Sequence, residues 1–510
     1  MLPKSAPPDL PPVHPWDEHN QRWVSHVRPA GWRNPEPAGR YNLLVVGAGP
    51  AGLVAAIGAA GLGAKVALAE KHLLGGDCLN VGCVPSKALI AAGRRYAAVR
   101  DAGEFGVRVP DGVDVDFPAV MERLRRLRAD LSGHDSAERF TGLGVDVFIG
   151  DGRFTSRDRF QIDGREIRFA RACVATGARA AAPSIPGIQE VHYLTNETIF
   201  TLTTLPRRLG VIGAGPIGCE LAQAFRRFGS EVHLIEAEHG ILPREDPDAS
   251  EIVKRSLLGD GVRIYCCGRK TRIVADGGAI RLVFDSHDEG HDIAVDSLLV
   301  AAGRSPNVED MGLEQAGVEF DQRGIKVDDR LRTTNPRIFA AGDVASKYQF
   351  THAADFMARM VIGNALFFGR SKASALTFPW ATYTEPELAH IGRYPRELDE
   401  EGIVYRTHVL PLTEVDRAIL DGETEGIIKV HADPKGRILG ATVVAAHAGD
   451  LIGEISLAMT SGLRLGHIAR AVHPYPTQAE AIRKIGDLHN RSRLTPWVQK
   501  ALARFLRWRR

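Results

Sequence analysis

Across 510 residues the chain has only six cysteines: Cys78, Cys83, Cys173, Cys219, Cys266 and Cys267. A secreted disulfide framework uses cysteine far more densely, so that class is excluded. Excess charge is missing too. The formal net charge is +2, whereas nucleic-acid binding by a whole protein needs a clustered basic footprint. No apolar run is long enough to span a bilayer. The N-terminus, with Pro7, Pro8, Asp9 and Pro11, lacks the apolar core of a signal peptide. The expected compartment is the cytoplasm, where a disulfide is more often catalytic than structural.

Glycine is abundant, at 53 residues, as repeated close approaches of backbone to ligand or to backbone require. The length implies several domains, because single cores stop growing well below it. Residues 1–40 are Pro-rich and polar but carry Trp16, Trp23 and Trp32. Three indoles are costly to leave in water, so this segment reads as an extended arm docked on the body.

An internal repeat organises the rest. Leu43-Leu44-Val45-Val46 leads into Gly47-Ala48-Gly49-Pro50-Ala51-Gly52, and the next apolar segment ends at Glu70. Leu209-Gly210-Val211-Ile212 leads into Gly213-Ala214-Gly215-Pro216-Ile217-Gly218, and the next segment ends at Glu236. First glycine and acid are 23 residues apart in both copies (70 − 47 and 236 − 213). Strand, three glycines, helix and a following acid define a dinucleotide-binding βαβ unit. The glycines allow the tight turn and close pyrophosphate approach, the helix N-terminus favours phosphate, and the acid takes a ribose 2′-hydroxyl. Ala237, Glu238 and His239 follow Glu236 with no arginine among them, so a 2′-phosphate is repelled and NADH is expected over NADPH.

Gly75-Gly76-Asp77-Cys78-Leu79-Asn80-Val81-Gly82-Cys83-Val84-Pro85-Ser86-Lys87 is the most specific segment. Two cysteines five apart at a helix start can close a small disulfide ring, and the helix N-terminus and Lys87 favour a thiolate. No metal-ligand set is assigned. Cys266-Cys267 are vicinal but read as part of a packed strand, with a metal relay as the alternative.

With these motifs the chain resembles the pyridine nucleotide–disulfide oxidoreductases, a family that includes dihydrolipoamide dehydrogenase, glutathione reductase and mercuric reductase. The resemblance covers about residues 41–485. It rests on Gly47 to Gly52, Cys78 to Lys87, Gly213 to Glu220, Ala301-Ala302-Gly303-Arg304-Ser305-Pro306-Asn307, and Thr333-Thr334-Asn335-Pro336 through Ala341-Gly342-Asp343. It implies an α/β fold: two Rossmann-type dinucleotide-binding domains plus a C-terminal α+β dimerisation domain, in a homodimer. It implies FAD on the first repeat, with Asp343 at its ribitol region, and the nicotinamide nucleotide on the second, with Gly303 in its following motif. Cys83 is implied as the thiolate beside the flavin, Cys78 as the thiol that meets the acceptor, and Lys87 with Glu220 as an ion pair where hydride arrives. The corresponding domain plan is an arm (1–40), FAD-binding segments (41–184 and 306–376), an NAD(P)-binding domain (185–305), an interface domain (377–490) and a basic tail (491–510).

One position departs from the disulfide-reducing members. His473-Pro474-Tyr475-Pro476-Thr477-Gln478-Ala479-Glu480 places Tyr475 where those enzymes carry an acid/base histidine, and keeps Glu480. An unperturbed tyrosine titrates near 10, a poor base for thiol exchange at neutral pH. It can donate a hydrogen bond or, if ionised, ligate a soft metal. Mercuric reductases are similar in placing tyrosine there, although the vicinal cysteines of their C-terminus are absent from Arg507-Trp508-Arg509-Arg510. A metal-ion acceptor therefore leads. A dihydrolipoamide dehydrogenase-like activity is the runner-up, and a redox-sensing or membrane-partner flavoprotein is the alternative of another class. In the tail, Trp497, Val498, Ala501, Leu502, Phe505 and Trp508 share a helical face among basic residues. The expectation is a helix docked on its own protein, the alternative a membrane-surface contact.

Overall fold

The computed structural model describes residues 13–181 and 183–510. Residues 1–12 of the expected arm lie outside the described residues. The rest of the arm is docked but not extended throughout. It contains a helix, α1 (Glu18–Val27), whose N-cap Asp17 accepts a 2.9 Å hydrogen bond from the Asn20 backbone N–H. Trp23, Val24 and Val27 fall on one helical face and are buried. A good N-cap and that spacing outweighed the surrounding prolines.

The first nucleotide unit follows: β1 (Arg40–Val46), α2 (Pro50–Gly61) and β2 (Val66–Glu70). Then come α3 (Gly76–Asn80), α4 (Cys83–Arg100) and α5 (Phe117–Ser132). The strands β3 (Val145–Ile149), β4 (Gly152–Ser156), β5 (Arg159–Ile162) and β6 (Arg165–Val174) complete a sheet in the order β3-β2-β1-β6-β5-β4, with Ile338–Ala340 also paired to β6. Pairs β3-β2, β2-β1 and β1-β6 are parallel, and β1 is buried from Leu43 to Val46, as a strand covered on both faces must be.

The second unit repeats the plan. Arg263–Tyr265, Glu231–Ile235, Arg208–Ile212 and Ser297–Val300 form a four-stranded parallel sheet in that order, and the helix Pro216–Arg227 follows the glycine turn. An antiparallel three-stranded sheet, Arg269–Asp276, Ala279–Ser286 and Glu289–Val295, is inserted before the last strand. Cys266 and Cys267 lie just past Arg263–Tyr265, in neither strand, so they do not pack within a sheet as expected.

The chain separates into two compact units. The described residues to Ala237 with Val262–Leu376 form the first, and Glu238–Gly261 with Thr377–Arg510 the second. The second is built on a five-stranded antiparallel sheet from Pro379–Thr382 to Arg406–Pro411 through Glu387–Gly392, Ile438–Ala445 and Ile427–Ala432. Helix Ala448–Thr460 packs its buried face on that core. The tail is a helix, Pro496–Trp508, with no buried residue. Trp497, Phe505 and Trp508 are exposed, so the expected docking onto the chain's own body does not occur. No helix among the described residues is long and apolar enough to cross a membrane.

Candidate functional site

The two glycine turns are the same object built twice. Gly47 and Gly213 have φ of 100° and 101°, a region open to glycine and hostile to side chains. A Cβ on Gly52 would sit 1.8 Å from the Gly47 carbonyl oxygen, and one on Gly218 would sit 1.9 Å from that of Gly213. The middle glycines differ. A Cβ on Gly215 meets nothing within 4 Å, and one on Gly49 reaches only Gly76 Cα at 3.7 Å. First and third glycines thus serve turn and packing, while the middle one leaves the helix N-terminus open to phosphate. Glu70 accepts from the Ala48 N–H at 2.6 Å and the His72 N–H at 2.8 Å. Glu236 accepts from the Ala214 N–H at 2.6 Å and the Ala237 N–H at 2.8 Å. Each acid therefore stands beside its own turn, where a ribose following the pyrophosphate is placed. These cradles fit two dinucleotides.

The cysteine segment is pressed against the first turn. The Gly75 N–H donates to the Ala48 carbonyl at 2.8 Å. Gly76, at φ 57°, lies so close that a Cβ would be 2.5 Å from Gly49 Cα. Cys78 sits in α3 and Cys83 opens the 18-residue α4. The Cys83 sulfur accepts a hydrogen bond from Cys78 and lies 3.4 Å from Thr351 Oγ1. That Cys78 hydrogen bond, with Thr351 and Lys87 adding to it against burial, pushes the Cys83 thiol down to about 6. The same pairing and burial push Cys78 up. The pair thus holds one proton, on Cys78, and presents a thiolate at Cys83.

Lys87 Nζ donates to Glu220 Oε2 at 2.8 Å, bringing together residues 133 apart in sequence. The Glu220 side chain is 6% exposed and that of Lys87 36%. Breaking a buried pair costs about 3–5 kcal/mol, and the exposed lysine end reduces this to about 1–2 kcal/mol. Lys87→Met is therefore expected to lower the urea midpoint and, with one source of thiolate stabilisation gone, to raise the pH at which reduced Cys83 ionises. Thiolate absorbance against pH reads the second effect.

Asp343 stands 3.5 Å from Arg304 Nε, and Arg304 also pairs with Asp77 and donates to the Ala178 carbonyl at 2.7 Å. Burial pushes the Asp343 carboxyl up, with Arg304 opposing. Gly303, at φ 95°, turns the chain into that arginine. Arg304, Asp77 and Thr351 were not singled out from sequence. The first two stand inside recognised motifs and were legible there, whereas nothing local marks Thr351.

Tyr475 and Glu480 belong to the second compact unit. Tyr475 is 69% exposed and its hydroxyl donates to Asp416 Oδ2 at 2.9 Å. That hydrogen bond holds the phenol above its ordinary range, so Tyr475 is a protonated donor at neutral pH, not a phenolate. Glu480 pairs with Arg483 at 2.7 Å. His473, two residues before Tyr475, turns to Glu454 at 3.0 Å.

This geometry defines a flavoprotein disulfide reductase core, and comparison with known proteins agrees. The model of the family "Pyridine nucleotide-disulphide oxidoreductase" matches residues 41–358, and that of its dimerisation domain matches residues 378–485. The chain belongs to this family: FAD-dependent oxidoreductases that use NAD(P)H, with a domain for homodimer formation. A mercuric reductase from Bacillus cereus is 35% identical over 445 residues, 87% of this chain and 70% of that protein. A dihydrolipoyl dehydrogenase from Bacillus subtilis (strain 168) is 35% identical over 453 residues, 87% of this chain and 95% of that one. Among solved structures, the Cu(II) complex of the HOCl-induced flavoprotein disulfide reductase RclA from Escherichia coli is 28% identical, with a TM-score of 0.78, covering 87% of this chain and 99% of that one. The mercuric reductase and the dihydrolipoyl dehydrogenase match at the same 35% identity, so the likeness lies in the shared core.

Proposed function

We propose that the protein is an NADH-dependent reductase of a thiol-bound metal ion of the mercuric type, acting through Cys78 and Cys83. The observation that carries this reading is Tyr475. Exchange of organic disulfides needs a group that takes a proton from a thiol near neutrality, and a phenol hydrogen-bonded to Asp416 is held in its donor form. Glu480, the usual partner of the missing histidine, is engaged by Arg483 instead. A metal acceptor needs no such base, since thiolates bind it directly.

Gly47, Gly49, Gly52, Glu70 and Asp343 would hold FAD, which when bound supplies a two-electron carrier between nicotinamide and disulfide. Gly213, Gly215, Gly218 and Glu236 bind the nicotinamide nucleotide, with Gly303 shaping the turn beyond. The Glu236 carboxylate accepts from ribose hydroxyls and repels a 2′-phosphate, which favours NADH. Lys87 and Glu220 fix each other next to the Cys83 thiolate. Cys78 and Cys83 take the ion as thiolates. The net reaction balances as NADH plus Hg(II) giving NAD⁺, H⁺ and Hg(0).

The test is NADH oxidation by the FAD-loaded protein, with Hg(II) in excess thiol and lipoamide assayed side by side. Expected is turnover with Hg(II) that Cys78→Ala abolishes, with lipoamide slower by at least about tenfold, about 1.4 kcal/mol in barrier. Lipoamide turnover faster than Hg(II) turnover would overturn the proposal in favour of a dihydrolipoyl dehydrogenase-like activity. In that case Tyr475→His would change little.

A further inference from the structure

Cys266 and Cys267 stand side by side beyond the strand Arg263–Tyr265, both half-buried. His287 faces them from the two-residue turn joining Ala279–Ser286 to Glu289–Val295, where Ser286 pairs with Glu289. The two sulfurs and an imidazole nitrogen lie within 4.8 Å of one another, with Cys266 Sγ 3.7 Å from His287 Nε2.

The surroundings fix this cluster in a ligating form. The Ser286 hydroxyl donates to the Cys266 carbonyl at 2.7 Å and lies 3.2 Å from His287 Nδ1. With its proton committed, that oxygen can only accept from Nδ1–H. The imidazole lone pair is thereby left on Nε2, the atom that faces Cys266. The backbone is held as firmly. A two-residue hairpin turn of type I′ needs positive φ at both central residues, which Asn-Gly ordinarily supplies. Here His287 has φ 49° and Asp288 φ 66°, and Cys267 itself has φ 60°. Non-glycine residues in this region are strained and concentrate at functional sites. Finally, the Gly268 N–H donates to the Glu236 carbonyl at 2.8 Å, and the Glu236 N–H donates to the Tyr265 carbonyl at 2.8 Å. The cysteine loop is thus anchored on both sides to the strand end that carries Glu236.

We propose that Cys266, Cys267 and His287 form a binding site for a thiophilic d10 cation of the Zn(II) class. Two thiolates and an imidazole are a three-ligand set that leaves a fourth tetrahedral position for water or an external thiol. The soft sulfur ligands select such ions over Mg(II) or Ca(II). Each thiol releases its proton to solvent on binding, and no electron moves.

The experiment uses the full chain in a Cys78→Ser/Cys83→Ser background, reduced and freed of reductant. Cys173 and Cys219 are then the other cysteines, and both are fully buried. Titration with Co(II) is expected to give one ion per chain, with thiolate-to-cobalt charge-transfer absorption and tetrahedral visible bands, displaced by Zn(II). Cys266→Ser/Cys267→Ser should lose the charge-transfer band. Ser286→Ala, a conservative change that spares every ligand, should weaken binding about 10–100-fold, as removal of an outer hydrogen-bond partner does. A parent protein with two titratable thiols at this site and no charge-transfer band would overturn the proposal. So would bands that persist in the double serine variant, or a vicinal disulfide that survives reduction.

Discussion

Serine at either Cys78 or Cys83 is expected to lower acceptor-dependent NADH oxidation at least about 10³-fold, since a covalent redox pair works as a unit and neither half substitutes for the other. The two variants are distinguishable by their remaining thiol. In Cys78→Ser the hydroxyl at 78 can still donate to Cys83, so Cys83 keeps its main source of thiolate stabilisation. In Cys78→Ala that donor is gone and Cys83 should ionise at higher pH. Iodoacetamide alkylation of the reduced wild type should show an inflection near pH 6, as the thiolate pushed down to about 6 requires. An inflection near the ordinary cysteine value of about 8.5 in the wild type would sink the assignment of Cys83 as the stabilised thiolate.

The pair also sets a sign for stability against pH in the reduced protein. Cys83 is depressed on folding, so between about pH 6 and the unfolded cysteine value of about 8.5 the unfolded chain holds the extra proton and stability rises with pH. Cys78 is raised on folding. Above about 8.5 the folded chain holds the extra proton and stability falls. The reduced protein should therefore show its highest thermal midpoint near pH 8.5 from this pair. Closing the disulfide removes both titrations and should flatten the profile.

What could be read in advance divides along a physical line. Both nucleotide turns were legible because strand, turn, helix and acid lie within a short stretch, and each residue's role follows from local geometry. Gly52 and Gly218 are glycine because the carbonyls of Gly47 and Gly213, five residues earlier, fill the space. The cysteine segment was legible for the same reason. Three features were not. Helix α1 was hidden by proline-rich neighbours, although Asp17 and the spacing of Trp23, Val24 and Val27 carried its signal. Thr351 reaches Cys83 across 268 residues, a contact no local pattern encodes. His287 reaches Cys266 only through the register of a hairpin, and a shift of one residue would turn it away. The pairing of Lys87 with Glu220 came from resemblance alone, and their 2.8 Å contact is likewise a product of tertiary folding.

The arm that lies ahead of residues 41–358, which the family model matches, makes the second large prediction. Trp23, 3% exposed, donates from Nε1 to Asn80 Oδ1 at 2.9 Å, and Asn80 is the last residue of the helix that carries Cys78. Arg128 stacks on the Trp23 ring at 3.7 Å and donates to the Asn80 carbonyl at 2.8 Å and to Asn20 Oδ1 at 2.7 Å. The Val27 carbonyl accepts from the Leu74 N–H at 3.1 Å, and Arg28 donates to the carbonyls of Lys71 and His72. Helix α1 thus grips residues 71–80 at several points, immediately before and within the redox segment. Trp23→Ala is expected to lose about 3–5 kcal/mol by cavity formation, including the stack on a desolvated guanidinium. Trp23→Phe keeps most of the packing but leaves Asn80 Oδ1 buried without its indole donor, a loss of about 1–3 kcal/mol. Urea midpoints give both values. The role of the arm as a brace is read separately, from the alkylation rate of Cys78 in the reduced protein under native conditions. A brace predicts that the rate rises in Trp23→Phe and more in Trp23→Ala, because the helix carrying Cys78 opens locally before the protein unfolds. Equal stability losses with an unchanged Cys78 rate would make α1 an ordinary core helix that positions nothing.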